Sequence, residues 1–428
     1  MSGGDGRHAA PLGGHRVVVT GVGVVTPLGC SVAALWRSLC EGRAAAGPIT
    51  RFDASGFEAR IAAEVRDPVE IEGVPDPKLD RCARFALAAA RVAWSDAGLG
   101  RIDDPYEAGV VIGSSHGGEA TALNAIRTLC TAERPRVSAR LIPRMLANMP
   151  SAHVAIDLGL RGPSFAVTSA CATGAQAIGE AAEIIRRGDA RIMVCGGADA
   201  CITPLTVAGD QAAGALSTRS DDPASASRPF DRSRDGFVIG EGAGILVLEE
   251  RSAALWRGAR IRGEIAGYAA TTDAHHETRP DPDAEPLARA IDRAVEKAGI
   301  SRSEIDAIFA HATGTVIGDA AEAAAFRRVF GDGLREIPVT AIKGGLGHLM
   351  GAAGSVQAIV ALQALDHQML PPTRNCDDPD PTLGLSIVAG EARPARLSTV
   401  LSTSSGFGGH NVALVLQGSR TQGAGRIV

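Results

Sequence analysis

Short apolar runs rich in Val and Ile alternate with longer Ala-rich stretches along most of the chain. The apolar runs have the length of buried strands, and the Ala-rich stretches repeat their apolar positions at helical spacing. Strands that alternate with helices form a sheet covered by helices, so the pattern predicts an α/β fold. The predicted strands are 16–25, 108–113, 164–168, 191–195, 245–249, 260–268, 307–311, 339–342 and 412–416.

Two segments share the same order of features, which suggests an internal duplication. In the first, a strand and a turn lead to Cys171 and a helix that runs to Arg187. In the second, a strand and a turn lead to His348 and a helix that runs to Leu365. We place the division near 257–260, so the predicted domains are 1–258 and 259–428. Because no Pro/Ser-rich linker occurs there, we expect the halves to share an interface.

Composition and charge exclude several classes of protein. The 428 residues include 43 Lys and Arg against 48 Asp and Glu, and only 4% are aromatic. This balance offers no basic surface for nucleic acid or anionic membranes, and few rings on which bases could stack. The first fifteen residues lack the apolar segment of a secretory signal, and no stretch reaches the roughly 18 to 20 apolar residues of a membrane span. We expect a cytoplasmic protein that binds neither nucleic acid nor membrane.

One of the eight cysteines lies in a segment that favours chemistry. The cysteines form no C-x-x-C pair and no zinc-type spacing with histidines, so no metal site is predicted, and most are expected to be buried reduced thiols. Cys171 differs because it lies between a strand and a helix among small residues that leave room for a substrate carbonyl. The exposed N–H groups at a helix start are expected to stabilise its thiolate. A nucleophile is therefore predicted, with a structural thiol as the alternative.

Histidines and a lysine stand in two further segments of small residues. His311 ends an apolar strand, and Lys343 and His348 lie five positions apart among glycines. A single histidine is more often structural, so the prediction that His311 is functional depends on its partners Lys343 and His348. The glycines around Lys343 could instead form a phosphate loop, although the G-x-x-x-x-G-K-[ST] order is absent. They could also form a plain helix start. Phe407, among the glycines of 406–409, either presents a backbone N–H to a cleft, gates that cleft or belongs to a hairpin turn.

Two other enzyme classes fit the chain less well. The glycines at Gly21 and Gly23 lack the third glycine of a dinucleotide-binding loop, and Pro27 interrupts the helix start that should follow. A cysteine protease of the Cys/His/Asn type needs one histidine and leaves Lys343 without a role.

Together the motifs resemble the β-ketoacyl-ACP synthase family, whose fold is thiolase-like. The resemblance rests on SACATG around Cys171, HATGT at 311–315, KGGLGHLMGAAG at 343–354 and GFGGHN at 406–411, and it spans nearly the whole chain. It implies duplicated βα halves in a layered α/β/α/β/α body. The Cys-His-His set resembles elongating synthases, since initiating synthases carry Asn at the second histidine position and thiolases carry a second cysteine near the C-terminus.

The resemblance also implies roles for individual residues. Cys171 would take an acyl chain from acyl-ACP, with the oxyanion held by the N–H groups of Cys171 and Phe407. His311 and His348 would bind the thioester oxygen of malonyl-ACP, and Lys343 would orient and polarise the histidines. No metal or resident cofactor is implied, because phosphopantetheine arrives on ACP. Further implied residues are Thr313, Thr315, His276, Thr278 and Gly408 for substrate binding, and the supporting carboxylates Asp319 and Glu322.

Several residues depart from the family pattern. Ala312 and Val316 stand where Gly and Pro are usual, and Gln357 replaces a common glutamate. His116 and Asp210 occupy positions near the acyl pocket that are usually apolar. Because polar groups disfavour the burial of plain hydrocarbon, we predict the ketosynthase of a type II polyketide or polyene pathway. Fatty-acid elongation is the alternative.

The resemblance implies a dimer formed at the sheet edge of the first half. The partner would be a second copy or a chain length factor, a related protein without the nucleophile. Two less favoured hypotheses are that this chain is itself a non-catalytic chain-length-factor-like partner, which Cys171 and both histidines oppose, or a thiolase, which would not need a malonyl carrier.

Overall fold

The computed structural model describes residues 14–66, 69, 78–134 and 136–419. Residues 1–13, which carry most of the prediction about a secretory signal, lie outside this range. The strands are β1 Val17–Val25, β2 Gly47–Pro48, β3 Ile61–Ala62, β4 Ala108–Gly113, β5 Ser164–Phe165, β6 Ile192–Asp199, β7 Gly242–Glu250, β8 Gly263–Thr272, β9 Ala307–Phe309, β10 Pro338–Thr340, β11 Met369–Leu370, β12 Ser386–Ile387, β13 Arg393–Pro394, β14 Thr399–Gly406 and β15 His410–Gly418. The helices are α1 Val32–Cys40, α2 Arg81–Asp96, α3 Glu119–Thr131, α4 Leu141–Met145, α5 Met149–Leu158, α6 Thr173–Arg187, α7 Pro204–Ala212, α8 Arg251–Trp256, α9 Glu285–Lys297, α10 Val316–Phe330, α11 Lys343–Leu346 and α12 Ala353–His367.

An eleven-stranded mixed sheet forms the frame, in the order β12-β10-β9-β14-β15-β8-β1-β7-β6-β4-β5. Within this sheet, the strands that precede residue 258 lie on one side of the β1/β8 junction and the later strands on the other, while β2 with β3 and β11 with β13 form two small separate sheets. The two sides meet in a short antiparallel pairing in which Val18 faces Glu264 and Val19 faces Gly263. This arrangement agrees with a duplicated α/β fold, while the exact domain boundary stays a prediction.

Three apolar cores separate the layers. The central core surrounds α6 and α12, which pack against each other and against both parts of the sheet. A second core joins α2 to the outer face of β1, β7 and β6. The third joins α9 and α10 to the outer face of the later strands. The layers therefore follow the order α/β/α/β/α, and the starts of α6 and α12 meet in the middle of the molecule.

All nine predicted strands are present, eight of them with shifted ends and 108–113 with the predicted ends, but one long strand was missed. The predicted strand 164–168 shrinks to the two residues of β5, and β9 ends at Phe309, before His311. The strand that escaped prediction is β14, where hydroxyl residues alternate with few apolar ones. Its hydroxyls lie inside the protein because they have buried partners: Ser402 bonds Gln357 and Thr403 bonds Glu322.

Within the described ranges, no helix is long and apolar enough to cross a bilayer.

Candidate active site

A sharp turn presents Cys171 immediately before α6. Ala170 has a left-handed backbone with φ of 48°, and the Ser115 hydroxyl donates to its carbonyl at 2.8 Å. The amide of Ser169 donates to the Thr173 hydroxyl at 2.9 Å, which closes the turn. Such a conformation costs an alanine of the order of 1 kcal/mol or more, so the surrounding bonds must hold it. The cysteine is left partly exposed at the helix start.

The expected stabilisation of a thiolate at Cys171 is not found. Burial raises the pKa of this thiol to about 12, and the negative charges of Asp210 and Asp199 add to the effect. The positive charge of Lys343 opposes them without outweighing burial. A helix start by itself favours the thiolate, but the removal of the thiol from water has the larger influence on its pKa. The resting cysteine is therefore a neutral thiol.

His311 and His348 stand edge to face, with ring centroids 5.5 Å apart and planes at 84°. The Phe237 ring contacts His348 from another side at 5.1 Å. Burial lowers the pKa of both imidazoles well below the ordinary value, and the charge of Lys343 lowers them further. Among the described residues, neither ring nitrogen of His348 has a hydrogen-bond partner. Two neutral imidazoles thus stand edge to face, and each has one N–H to donate.

Lys343 and Glu322 hold the backbone at His311 from both sides. The Lys343 ammonium donates to the His311 carbonyl, while Glu322 accepts from the amides of His311 and Ala312, both at 2.8 Å. The Thr403 hydroxyl adds a third bond to Glu322 at 2.7 Å. Burial lowers the pKa of Lys343 to about 8 and raises that of Glu322. Lys343 thus positions the segment of His311 by binding the backbone carbonyl of His311.

Asp319 holds the next turn of the same segment. It accepts from the amides of Gly314 at 3.0 Å and Phe230 at 2.7 Å, and burial raises its pKa to about 7. Thr313 and Thr315 lie beside it with hydroxyl oxygens 3.0 Å apart, and Thr315 caps α10. The two carboxylates predicted to support the site therefore fix the backbone from His311 to Gly314. The contribution of the threonines to a pantetheine tunnel stays a prediction.

The loop of Phe407 joins β14 to β15 and lies against the cysteine turn. A Cβ on Gly406 would be 2.6 Å from the Ser169 carbonyl oxygen and 2.9 Å from the Cys171 nitrogen. Phe407 is 38% exposed, and its amide donates to no backbone carbonyl in the part of the chain that the structure describes. Gly408 has a φ of 88°, which few other residues tolerate. The loop is thus a hairpin turn that lies against the Cys171 turn, and the role of its Phe407 amide stays a prediction.

His276 and Thr278 lie on an exposed loop after β8. The Nδ1 of His276 accepts from the Thr278 amide at 3.1 Å. Between these two residues, the carbonyl of Glu277 accepts from Gly408 at 2.7 Å. The structure therefore joins this segment to the Phe407 loop, and its direct role toward malonate stays a prediction.

His116 and Asp210 belong to the first half of the chain, as Cys171 does, and they interact electrostatically near it. The negative charge of Asp210 raises the pKa of Cys171, and the His116 charge lowers the pKa of Asp210, so the three groups interact. Burial nevertheless raises the pKa of Asp210 to about 6. Within the described ranges, the buried atoms His116 Nδ1 and Asp210 Oδ2 lack hydrogen-bond partners. Their place at the entrance of an acyl pocket stays a prediction.

The structure shows what surrounds Ala312 and Gln357, two of the residues that depart from the family pattern. Ala312 adopts a left-handed backbone with φ of 33°, a position that glycine occupies without strain. Gln357 donates its amide to the carbonyls of Phe309 and Thr403, both at 2.9 Å, and to the Ser402 hydroxyl at 3.0 Å. A carboxylate at position 357 could make none of these donations while ionised.

Two residues that connect the site were not among those predicted from the sequence. Asp199 and Ser115 join the His116 loop to the turns of both Cys171 and His348. A carboxylate at the end of an apolar strand, after two glycines, was the one signal available.

Comparisons with known proteins agree with this arrangement. The β-ketoacyl synthase N-terminal domain profile matches residues 14–254, and the C-terminal domain profile matches residues 262–377. A 3-oxoacyl-[acyl-carrier-protein] synthase 2 from Synechocystis sp. is 43% identical over 413 residues, which cover 95% of this chain and 99% of that protein. The corresponding protein of Coxiella burnetii is 42% identical over 94% of this chain and 98% of its own length.

Two solved structures have the same fold. The ishigamide ketosynthase/chain length factor superposes with a TM-score of 0.88 at 38% identity, over 95% of this chain and 99% of that one. A β-ketoacyl synthase from Burkholderia phymatum superposes with a TM-score of 0.89 at 34% identity, over 95% of this chain and 100% of that one. Matches over this much of the chain show that it belongs to the β-ketoacyl synthase family of acyltransferases.

Proposed function

We propose that this chain is a 3-oxoacyl-ACP synthase that elongates an acyl chain by decarboxylative condensation. The observation that carries the proposal is the meeting of three motifs at Cys171. Gly406 packs against the Cys171 amide, and Lys343, whose charge acts on the Cys171 thiol, bonds the His311 carbonyl. This brings a nucleophile, an oxyanion donor and imidazole donors together, which are the parts required by acyl transfer and by decarboxylation.

In the first half-reaction, Cys171 attacks the thioester of acyl-ACP. The sulfur–carbonyl bond to Cys171 forms, the bond to the phosphopantetheine sulfur breaks, and the thiol proton leaves with that sulfur. The amides of Cys171 and Phe407 bind the oxyanion between these events, which stabilises the transition state most where charge develops. Because the resting thiol has a pKa of about 12, it remains protonated until acyl-ACP binds.

In the second half-reaction, malonyl-ACP loses carbon dioxide and its thioester oxygen gains negative charge. The neutral imidazoles of His311 and His348 donate hydrogen bonds to this oxygen. The carbon nucleophile attacks the acyl carbonyl on Cys171, so a carbon–carbon bond forms and the thioester to Cys171 breaks. The thiolate of Cys171 that this step releases then takes a proton from solvent water. Lys343, Glu322 and Asp319 keep the His311 backbone in place throughout.

We propose that the acyl chains belong to a type II polyketide or polyene pathway. His116 and Asp210 place buried polar atoms beside the nucleophile, which disfavours a plain saturated chain. The structural similarity to the ishigamide ketosynthase supports this reading. The curated relatives named 3-oxoacyl-ACP synthase 2 favour fatty-acid elongation as the alternative.

We also propose a dimer through the edge of the first half. β5 ends the sheet and carries the exposed Phe165; Ile142 on α4 and Leu146 just after it are exposed as well. An open sheet edge beside apolar side chains is suited to pairing with another chain. The partner would be a second copy or a chain length factor, and we place the enzyme in the cytoplasm.

Intact-protein mass spectrometry with a panel of acyl-ACPs, with and without a candidate partner chain, tests this function. We expect an acyl mass on Cys171 and an elongated product only after malonyl-ACP is added. Product from acetyl-CoA alone would indicate a thiolase, and the absence of any acyl mass would contradict the proposal. For the pathway, His116→Ile with Asp210→Phe should shift the preference toward saturated chains; an unchanged preference would argue against the pocket assignment.

A further inference from the structure

Asp199 is a fully buried carboxylate at the end of β6, and its two oxygens accept four hydrogen bonds. Oδ1 accepts from the Ser114 hydroxyl at 2.6 Å and from the His116 amide at 3.2 Å. Oδ2 accepts from the Ser115 amide at 3.0 Å and from the Gly351 amide at 2.7 Å. Three of these donors belong to the loop after β4, while the fourth belongs to the second half of the chain. The carboxylate therefore joins the two halves at the site.

The donors lie next to the reactive segments. The Ser115 hydroxyl donates a hydrogen bond to the carbonyl of Ala170, the residue before Cys171. Gly351 follows His348 by three residues, and its backbone approaches so closely that a Cβ there would lie 2.5 Å from Asp199 Oδ2. A single carboxylate thus links the turn that carries the nucleophile to the turn that carries one malonyl-binding histidine.

We propose that Asp199 is a positioning residue that sets the separation between the acyl group on Cys171 and the malonyl unit at His348. The inference rests on the roles of these two residues in the proposed function. Acyl transfer needs only the turn of Cys171 and decarboxylation only the turn of His348, whereas carbon–carbon bond formation needs both at the right distance. Hydrogen bonds to a carboxylate are stronger than neutral ones, and misplacement of reacting groups by about 1 Å can cost of the order of 100-fold in rate. Loss of the link should therefore affect the joining step most.

Asp199→Asn tests the inference because it keeps the size of the side chain and replaces one acceptor oxygen by an amide that faces N–H donors. We expect the variant to form the acyl-enzyme and to release carbon dioxide from malonyl-ACP. The amount of elongated product per carbon dioxide released should fall at least fivefold. Intact mass, labelled carbon dioxide and product quantification on the same samples give this ratio.

Two further variants separate positioning from a general loss of stability. Glu249→Gln changes another buried carboxylate, on β7, which accepts from Thr20 and Arg257 outside the site. This control should lose stability and keep the wild-type ratio. Ser115→Ala removes only the hydroxyl link to Ala170, leaves Asp199 intact and should lower the ratio in the same direction by a smaller factor. It also provides the test if Asp199→Asn does not fold.

The outcomes distinguish this inference from the proposed function. A wild-type ratio in Asp199→Asn and in Ser115→Ala would overturn the positioning role and leave the proposed function intact. The same fall in Glu249→Gln would also overturn it, since the effect would then follow stability alone. If Cys171→Ala still acquired the acyl mass, the proposed function itself would fail.

Discussion

The imidazoles of His311 and His348 meet edge to face at 5.5 Å, although one follows β9 and the other precedes α12. Cys171 comes from the other half of the sheet and from a different turn. The groups proposed for acyl transfer and for decarboxylation therefore stand on separate segments. Their loss should affect separate half-reactions.

Cys171→Ala should abolish the acyl-enzyme while leaving measurable decarboxylation of malonyl-ACP. His348→Ala should do the reverse: the acyl-enzyme accumulates, and carbon dioxide release falls by about 10²- to 10³-fold, as for the loss of one oxyanion donor. Intact mass reports acylation, and labelled malonyl-ACP reports decarboxylation. Normal decarboxylation by His348→Ala would show that this division of roles is wrong.

Lys343→Ala should reduce both activities partially, because it removes the bond to the His311 carbonyl.

Gly406→Ala should slow acylation of Cys171 without unfolding the protein. The new methyl group would lie 2.6 Å from the Ser169 carbonyl oxygen and 2.9 Å from the Cys171 nitrogen, so the Phe407 loop must move away from the nucleophile. The rate of acyl-enzyme formation measures the effect. Gly333→Ala is the matched control, since nothing lies within 4 Å of its added methyl group. Equal acylation rates for the two variants would remove the loop from the proposed oxyanion site.

The sequence predicted those features that depend on local pattern. Apolar runs gave nine strands, and small residues at a strand-to-helix junction indicated the Cys171 turn. It missed β14, because Ser and Thr look exposed until partners such as Glu322 are known. Asp199 was missed for a similar reason, because the amide of Gly351, which donates a hydrogen bond to it, lies 152 positions away in the sequence. The pKa of Cys171 was misjudged because a helix start is visible in sequence while burial is not.

Val316→Pro should stabilise the protein by about 0.4 to 1 kcal/mol. Val316 is the first residue of α10, where proline fits because the missing N–H would have no partner within the helix. Thr315 before it is extended, with φ of −85° and ψ of 143°, as proline requires, and the Val316 side chain is 59% exposed. Ile317→Pro is the control: it is 54% exposed, but the residue before it is helical, so this change should destabilise. Thermal unfolding of both variants checks the prediction, and a lower melting temperature for Val316→Pro would contradict it.

Asp210→Asn should stabilise the enzyme near neutral pH and have little effect in acid. Burial raises the folded-state pKa of Asp210 from 3.8 to about 6, so the folded state binds a proton more readily than the unfolded state. The contribution of this proton to the free energy of unfolding is fully present below pH 4 and is lost as the pH rises through about 6. Asparagine carries no charge at any of these pH values and avoids the loss.

The free energy of unfolding of Asp210→Asn relative to wild type should therefore increase between pH 4 and pH 7. One pKa unit corresponds to about 1.4 kcal/mol, so the difference can reach about 3 kcal/mol at the upper end. Urea unfolding of both proteins at several pH values gives the curve, and exposed Asp332→Asn is the control that should follow wild type. A difference that is constant with pH would show that the Asp210 carboxyl carries no such cost. The expected curve would show that this acid is retained at the expense of stability, which is consistent with a role in recognising the acyl chain.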